Sequence, residues 1–232
     1  MTRKLTCLTF ALILLSANSF TEEIDEIVVL EKKLSSLSGW SNNQSISAIN
    51  QEELEKLDAQ HPKQIFRRSS GVWISRGSGQ EHLTAIRSPV LTGPGACGSF
   101  LVLEDGIPIR PSGFCNVNGL FETFYEMSSG VEIITGPASS RYGANAMHGV
   151  INILSEPIES DNRFYLNAGP NNYKNFKIRA SNNLDWSFDG FFANNDGFRD
   201  QSGYDQQKIR LQSKFNLNEW TGYLKATLTN LN

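Results

Sequence analysis

Among 232 residues, three histidines, three cysteines and a few carboxylate pairs are the side chains whose types could support chemistry. His61, His82 and His148 stand apart, with no nucleophile–base motif and no i, i+4 metal-binding helix around them. Glu52-Glu53 opens a helical stretch, where the positive end of the helix dipole accounts for adjacent acids. The glycines invite a phosphate-loop reading that fails on its neighbours. No Gly-Lys-Ser/Thr follows the stretch from Gly136 to Gly149, and Gly77-Ser78-Gly79 lacks the third glycine of a dinucleotide fingerprint. The residues therefore predict no enzyme, no cofactor and no metal site.

The cysteines take their meaning from the N-terminus. Arg3 and Lys4 precede an apolar run from Leu5 to Leu15, and Ser16-Ala17-Asn18-Ser19 follows. A basic start, an apolar stretch and small residues at a cut site make a secretory signal peptide over 1–19, with cleavage before Phe20. The competing reading is a short buried N-terminal helix. Cleavage removes Cys7 and leaves Cys97 and Cys115 together in an oxidising compartment. A disulfide closing that loop contributes about 3 kcal/mol by chain-entropy arguments. The alternative is a pair of buried free thiols; zinc fits poorly, because two cysteines alone do not complete a tetrahedral site.

Composition narrows the class further. Hydrophobic residues make up 39% and charged residues 19%, enough for a core and too little charge for a disordered chain. The net charge of −3 offers no footprint for nucleic acid. Removing Arg3 and Lys4 from the 21 basic side chains leaves 19 against 24 acidic ones, a net of −5. No run reaches the roughly 18 to 20 apolar residues of a spanning helix. Alternating membrane strands remain allowed, because they average to a polar-looking composition.

These residues need elements to position them. Residues 20–45 read as a short β-prone piece, Ile27-Val28-Val29-Leu30, on a Ser- and Asn-rich linker. A mixed α/β domain over 46–157 follows. Asn50 with Glu53 makes a capping box for a helix carrying Leu54 and Leu57. Pro62 opens a second short helix, ended by Gly71. Strands are expected at 72–75, 83–86, 100–103, 107–109, 131–134 and 150–154, with Asp105-Gly106 making a type I′ hairpin turn. Leu120 to Met127 is expected as one helix with Leu120, Phe121, Phe124 and Tyr125 on its apolar side. Over 162–232 apolar and polar residues alternate between Asn- and Gly-rich turns, the pattern of an antiparallel meander. That length has room for about five or six strands, whereas an outer-membrane barrel needs at least about 8. The expectation is a sequence cut off inside a barrel; a finished soluble β-rich tail is the competing one.

Several motifs converge on one family. Glu132-Ile133-Ile134-Thr135-Gly136-Pro137-Ala138-Ser139-Ser140-Arg141-Tyr142-Gly143-Ala144-Asn145-Ala146-Met147, running on through Gly149-Val150-Ile151-Asn152-Ile153, resembles the signature of TonB-dependent outer-membrane receptor plugs. Glu104-Asp105-Gly106-Ile107-Pro108 resembles the plug's hairpin, and Gly71-Val72 followed by Ile86-Arg87 its earlier elements. The resemblance covers 22–157 and, more weakly, the strands beyond. It implies an α+β plug followed by the first antiparallel strands of a transmembrane β-barrel, in a monomer of the Gram-negative outer membrane. Gly136, Pro137, Tyr142, Gly143, Gly149 and Asn152 are then the plug motif.

The resemblance also implies roles. Asp25-Glu26-Ile27-Val28-Val29-Leu30 resembles the TonB box gripped by the energy-transducing TonB-type protein of the inner membrane, and a β-branched tether suits strand addition to a partner's sheet edge. An ordinary first strand of the domain is the plain alternative. The box ends Val29-Leu30-Glu31, where the family more often has Val-Thr-Ala. Thr135 and Ser88 stand where the family often has a basic residue and a glycine, which reduces the plug–barrel arginines to Arg87. The loops joined by Cys97 and Cys115 would face outward, with Arg110, Phe114, Asn116 and Asn118 as candidate substrate contacts. The implied activity is energised uptake of a scarce small molecule, a ferric siderophore or other metal chelate by family prior. The other class is a secreted or periplasmic plug-like binding module without a barrel.

Overall fold

The computed structural model describes residues 45–77, 79–90, 97–111 and 113–232. The expected signal peptide and Asp25–Leu30 lie outside the described residues, as does the linker up to residue 44.

The first part of the fold is a five-stranded mixed sheet with short helices. Strands β1 (Ser45–Asn50), β4 (Phe100–Glu104), β5 (Ile107–Pro108), β6 (Ser128–Thr135) and β7 (Gly149–Ser155) lie in the order β1-β6-β7-β4-β5. β4 and β7 are parallel, while β1–β6, β6–β7 and β4–β5 are antiparallel. β4, Phe-Leu-Val-Leu-Glu, is buried at every position, which explains a continuous apolar run rather than an alternating one. One side of the sheet packs Phe100, Val102, Val131, Ile133, Ile151 and Ile153 into the main core. The other packs Leu101, Leu103, Ile134 and Val150 against Ala138 and Ala146.

Helix α1 (Gln51–Leu57) starts as the sequence predicts, with Asn50 Oδ1 accepting from Glu53 N–H at 2.9 Å and Glu53 returning a bond to Asn50 N–H. Helix α2 (Pro62–Phe66) is capped by His61, whose Nδ1 accepts from Lys63 N–H at 3.0 Å. It ends at Phe66, short of the expected Gly71. Gly71 instead makes the turn into β2 (Val72–Ile74), which pairs with β3 (Thr84–Ile86). The Asp105-Gly106 turn has both residues at positive φ, 53° and 82°, as type I′ requires.

One expected element is corrected. Leu120 to Met127 is not a single helix but two 3₁₀ turns, Gly119–Glu122 and Tyr125–Met127, broken at Thr123. Both apolar faces are used: Leu120 joins the main core, whereas Phe124 and Met127 pack with Tyr173 and Phe191. A straight helix could not serve two clusters on different sides. β1 itself was not among the expected strands.

The second part is a meander of five strands, β8 (Arg163–Gly169), β9 (Tyr173–Ser181), β10 (Trp186–Asn195), β11 (Tyr204–Leu217) and β12 (Trp220–Leu231), each antiparallel to the next. Its alternation is inverted relative to a water-soluble sheet. One face carries Phe164, Leu166, Leu211, Leu224 and Leu228, all exposed. The other carries Lys177, Arg179, Asp189, Lys208 and Arg210, all buried against the first part.

Candidate functional site

The Gly-rich motif closes on itself. Gly136 N–H donates to His148 C=O at 2.8 Å and Ala138 N–H to Ala146 C=O at 2.9 Å, so the excursion from β6 to β7, with its one-turn helix α3 (Ser139–Tyr142), is a pinned loop. Gly149 must lack a side chain. A Cβ there would lie 2.4 Å from Ile134 O and 2.7 Å from Ile86 Cγ2. Asn152 ties two motifs together, donating from Nδ2 to Glu132 at 3.0 Å and accepting at Oδ1 from Gly106 N–H at 2.9 Å. The motif's work is architectural: it fixes the hairpin and the loop to one sheet.

Cys97 and Cys115 form a disulfide with Cα atoms 4.4 Å apart. Arg110 organises the segment beyond it. Its Nε and Nη2 donate to the two Glu122 oxygens, while Nη1 donates to Cys115 C=O and, at 3.1 Å, to Asn118 Oδ1. Arg110 and Asn118 are thus occupied within the loop. Arg110 also borders a cleft of about 480 Å³ with Leu101, Pro108, Tyr142 and Asn145. Asn116 is buried, whereas Phe114 projects with 62% of its surface exposed. Of the expected substrate contacts, Phe114 is the one presented outward.

The face between the two parts holds most of the buried charge, and the sequence did not announce it. Lys208 reaches from β11 to Glu126 at 2.7 and 3.0 Å and to Thr123 C=O at 2.7 Å, with both charged side chains sealed from solvent. Asp189 on β10 lies between Arg179 (2.5 Å) and Arg210 (2.8 Å), all fully buried. Those arginines also reach the first part: Arg179 to Pro157 C=O, and Arg210 to Met127 C=O at 2.6 Å and Ser155 Oγ at 3.1 Å. Arg163 pairs with Glu156, and Lys177 with Asp58 at 2.7 Å. Asp58 is placed by its own backbone, left-handed at the C-cap of α1. Lys225 meets Asp105 at 2.5 Å. Burial acts against the ionised form of Asp105, but Lys225 and the Ser155 hydrogen bonds hold its carboxyl below the ordinary value. Carboxylates of the first part thus face cations of the second.

A mixed sheet carrying this loop is what the sequence motifs lead one to look for, and residues 40–150 match the TonB-dependent Receptor Plug Domain. Its plug is that of the TonB-dependent receptors. Solved receptors share the fold. The ferric yersiniabactin uptake receptor FyuA from Yersinia pestis is 15% identical with a TM-score of 0.58, covering 80% of this chain and 31% of its own. The copper transporter OprC is 17% identical with a TM-score of 0.61, covering 80% and 30%. The siderophore receptor PiuA from Acinetobacter baumannii is 19% identical with a TM-score of 0.55, covering 81% and 27%. The chain thus spans less than a third of the length of these receptors. Homologous receptors are outer-membrane proteins, and the family consists of transport receptors rather than enzymes.

In this plug, Arg87 has φ of 45° and is exposed, with its side chain beside Gly71 and Gly136. The described contacts between plug and strands include the acid–base pairs above, hydrogen bonds to plug carbonyls, and the packing of Phe124 and Met127 against Tyr173 and Phe191. Sequence reasoning missed them because the partners are far apart in the chain; the regular Lys/Arg positions on alternate residues of β9 and β11 were the signal available.

Proposed function

We propose that these residues are the plug and leading wall of an outer-membrane receptor that imports a scarce small molecule, a ferric siderophore or other metal chelate, by energised transport. Signal residues 1–19 would export it. Asp25 to Leu30 would pair with the periplasmic domain of a TonB-type protein, whose pull rearranges the plug. The observation that carries this reading is the inverted wall: its outward face is apolar, while its inward face meets the plug through ion pairs and hydrogen bonds. An outward apolar face suits lipid. A polar interface lets a plug shift with water re-solvating the separated groups, whereas an apolar one would expose hydrocarbon. The outward face also argues against a soluble module without a barrel. Substrate preference comes from the family: FyuA, OprC and PiuA are described as receptors or transporters for ferric yersiniabactin, copper and siderophore.

Binding of a peptide spanning 20–40 to a TonB-type periplasmic domain tests the partner assignment. The expected result is saturable binding that Val28→Pro abolishes, since proline removes a strand hydrogen bond. No binding, or binding indifferent to that change, would remove it.

A further inference from the structure

Two buried histidines have no part in the transport reading. His61 and His82 are 0% and 3% exposed, with ring centroids 5.8 Å apart and ring planes at 89°. Their hydrogen bonds fix their protons. His61 Nδ1 accepts from Lys63 N–H, so the neutral ring carries its proton on Nε2. His82 Nδ1 lies 3.1 Å from Gln80 C=O, which requires the proton there and leaves a lone pair on Nε2. Both Nε2 atoms are buried, and among the described residues neither has a hydrogen-bond partner of normal geometry, although His61 faces the Glu81 main chain.

That pattern decides between occupants. A metal bridging the pair needs a lone pair on both Nε2 atoms, and His61 could supply one only by giving up its cap on α2. The pair instead offers two ring positions where uptake of a proton adds charge.

The surroundings say what such charge would do. His61 faces Arg76, which follows β2, Lys63 on α2, and the main chain of Glu81, whose hydrogen bond favours the protonated ring but is outweighed by burial and the cations. The Glu81 carboxylate is exposed and already accepts from Gly79 N–H at 2.9 Å. His82 stacks edge-on against Phe121, within the field of Arg110 and of Lys208. The Lys208 ammonium is matched by Glu126. Cations therefore predominate around both rings. The pair also sits beneath a junction with the wall: Lys208 binds Thr123 C=O two residues beyond Phe121, and Gln80 lies against Tyr204 of β11.

We propose that His61 and His82 form a proton-sensitive latch that seats the plug segments 60–84 and 116–123 against β11, firm at neutral pH and loosened by acid. Burial is the main cause holding both histidines neutral, with Arg76 next for His61, whose pKa falls to about 4, and His82 is lowered too. The sign follows: protons bind the opened segment more readily than the closed one, so the latch is intact above 6.5 and weakens as pH falls toward 4.

The test is hydrogen exchange on the full receptor in outer-membrane vesicles at pH 7.5 and 5.5, corrected for intrinsic rates. Linkage for His61 alone predicts about a tenfold loss of protection in 60–84 and 116–123 at pH 5.5. Strand 186–195 should change little. In His61→Asn/His82→Gln, where asparagine keeps the cap and glutamine can keep the bond to Gln80, the loss should vanish. An unchanged wild type, a loss spread evenly over the plug and strands, or the same loss in the variant would overturn the latch. The wild-type regional contrast decides alone if the variant does not insert. Val28→Pro leaves this readout untouched, so failure of the latch and failure of the transport reading are distinguishable.

Discussion

At the residue scale, the plug rests on a few positions where geometry allows one chemistry. Gly149→Ala places a methyl carbon inside the contact distance of the β6 backbone, and overpacking of that kind costs about 1–3 kcal/mol. Denaturant unfolding of the receptor should show the loss, and an unaltered midpoint would mean that β6 and β7 can separate freely. Asp189 is the second such position, because it neutralises two buried arginines at once. Asp189→Asn should destabilise the receptor by about 3–5 kcal/mol, the cost of leaving buried charge without its partner. Loss of the exposed Lys56–Glu52 pair on α1, by contrast, should cost about 0.5 kcal/mol or less. Equal effects in the two experiments would show that the Asp189 cluster is more hydrated than its burial indicates.

At the element scale, the disulfide and the Arg110 fork hold one loop from two directions. Cys115 contributes both its sulfur to Cys97 and its carbonyl to Arg110, and Phe114 projects beside it. If that segment is the substrate-facing rim, Cys97→Ser should weaken substrate affinity while leaving the strands folded; unchanged affinity and uptake would end the idea that stiffness matters there. Elements whose signals are local were readable in advance: the Asn50–Glu53 box, the Asp105-Gly106 turn and the alternating strands each carry their cause within a few residues. The 119–127 segment misled because its apolar spacing suits a helix, yet two separate clusters claim its side chains. β1 was missed because Ser-Ile-Ser-Ala-Ile-Asn is short and polar, and its strand identity comes from pairing with β6. That Arg110 is held by Glu122 and Asn118 was not legible, because sequence does not show that these residues lie within its reach.

At the scale of the whole molecule, the low charge and modest apolar content first suggest a soluble chain. The structure gives that composition another cause: a compact plug core combined with strands that turn their polar side inward and their apolar side out. The plug–wall ion pairs, such as Lys208–Glu126 and Lys225–Asp105, join residues 82 and 120 apart, beyond any local pattern. Such an interface suits the proposed movement of the plug under force. In the proposed mechanism force arrives through the N-terminal tether, and uptake by the full receptor carrying Val28→Pro reports on that step. Cells supplied with a radiolabelled ferric chelate that the receptor binds should retain surface binding and lose energised accumulation. Accumulation at the wild-type rate would show that force does not enter through residues 25–30.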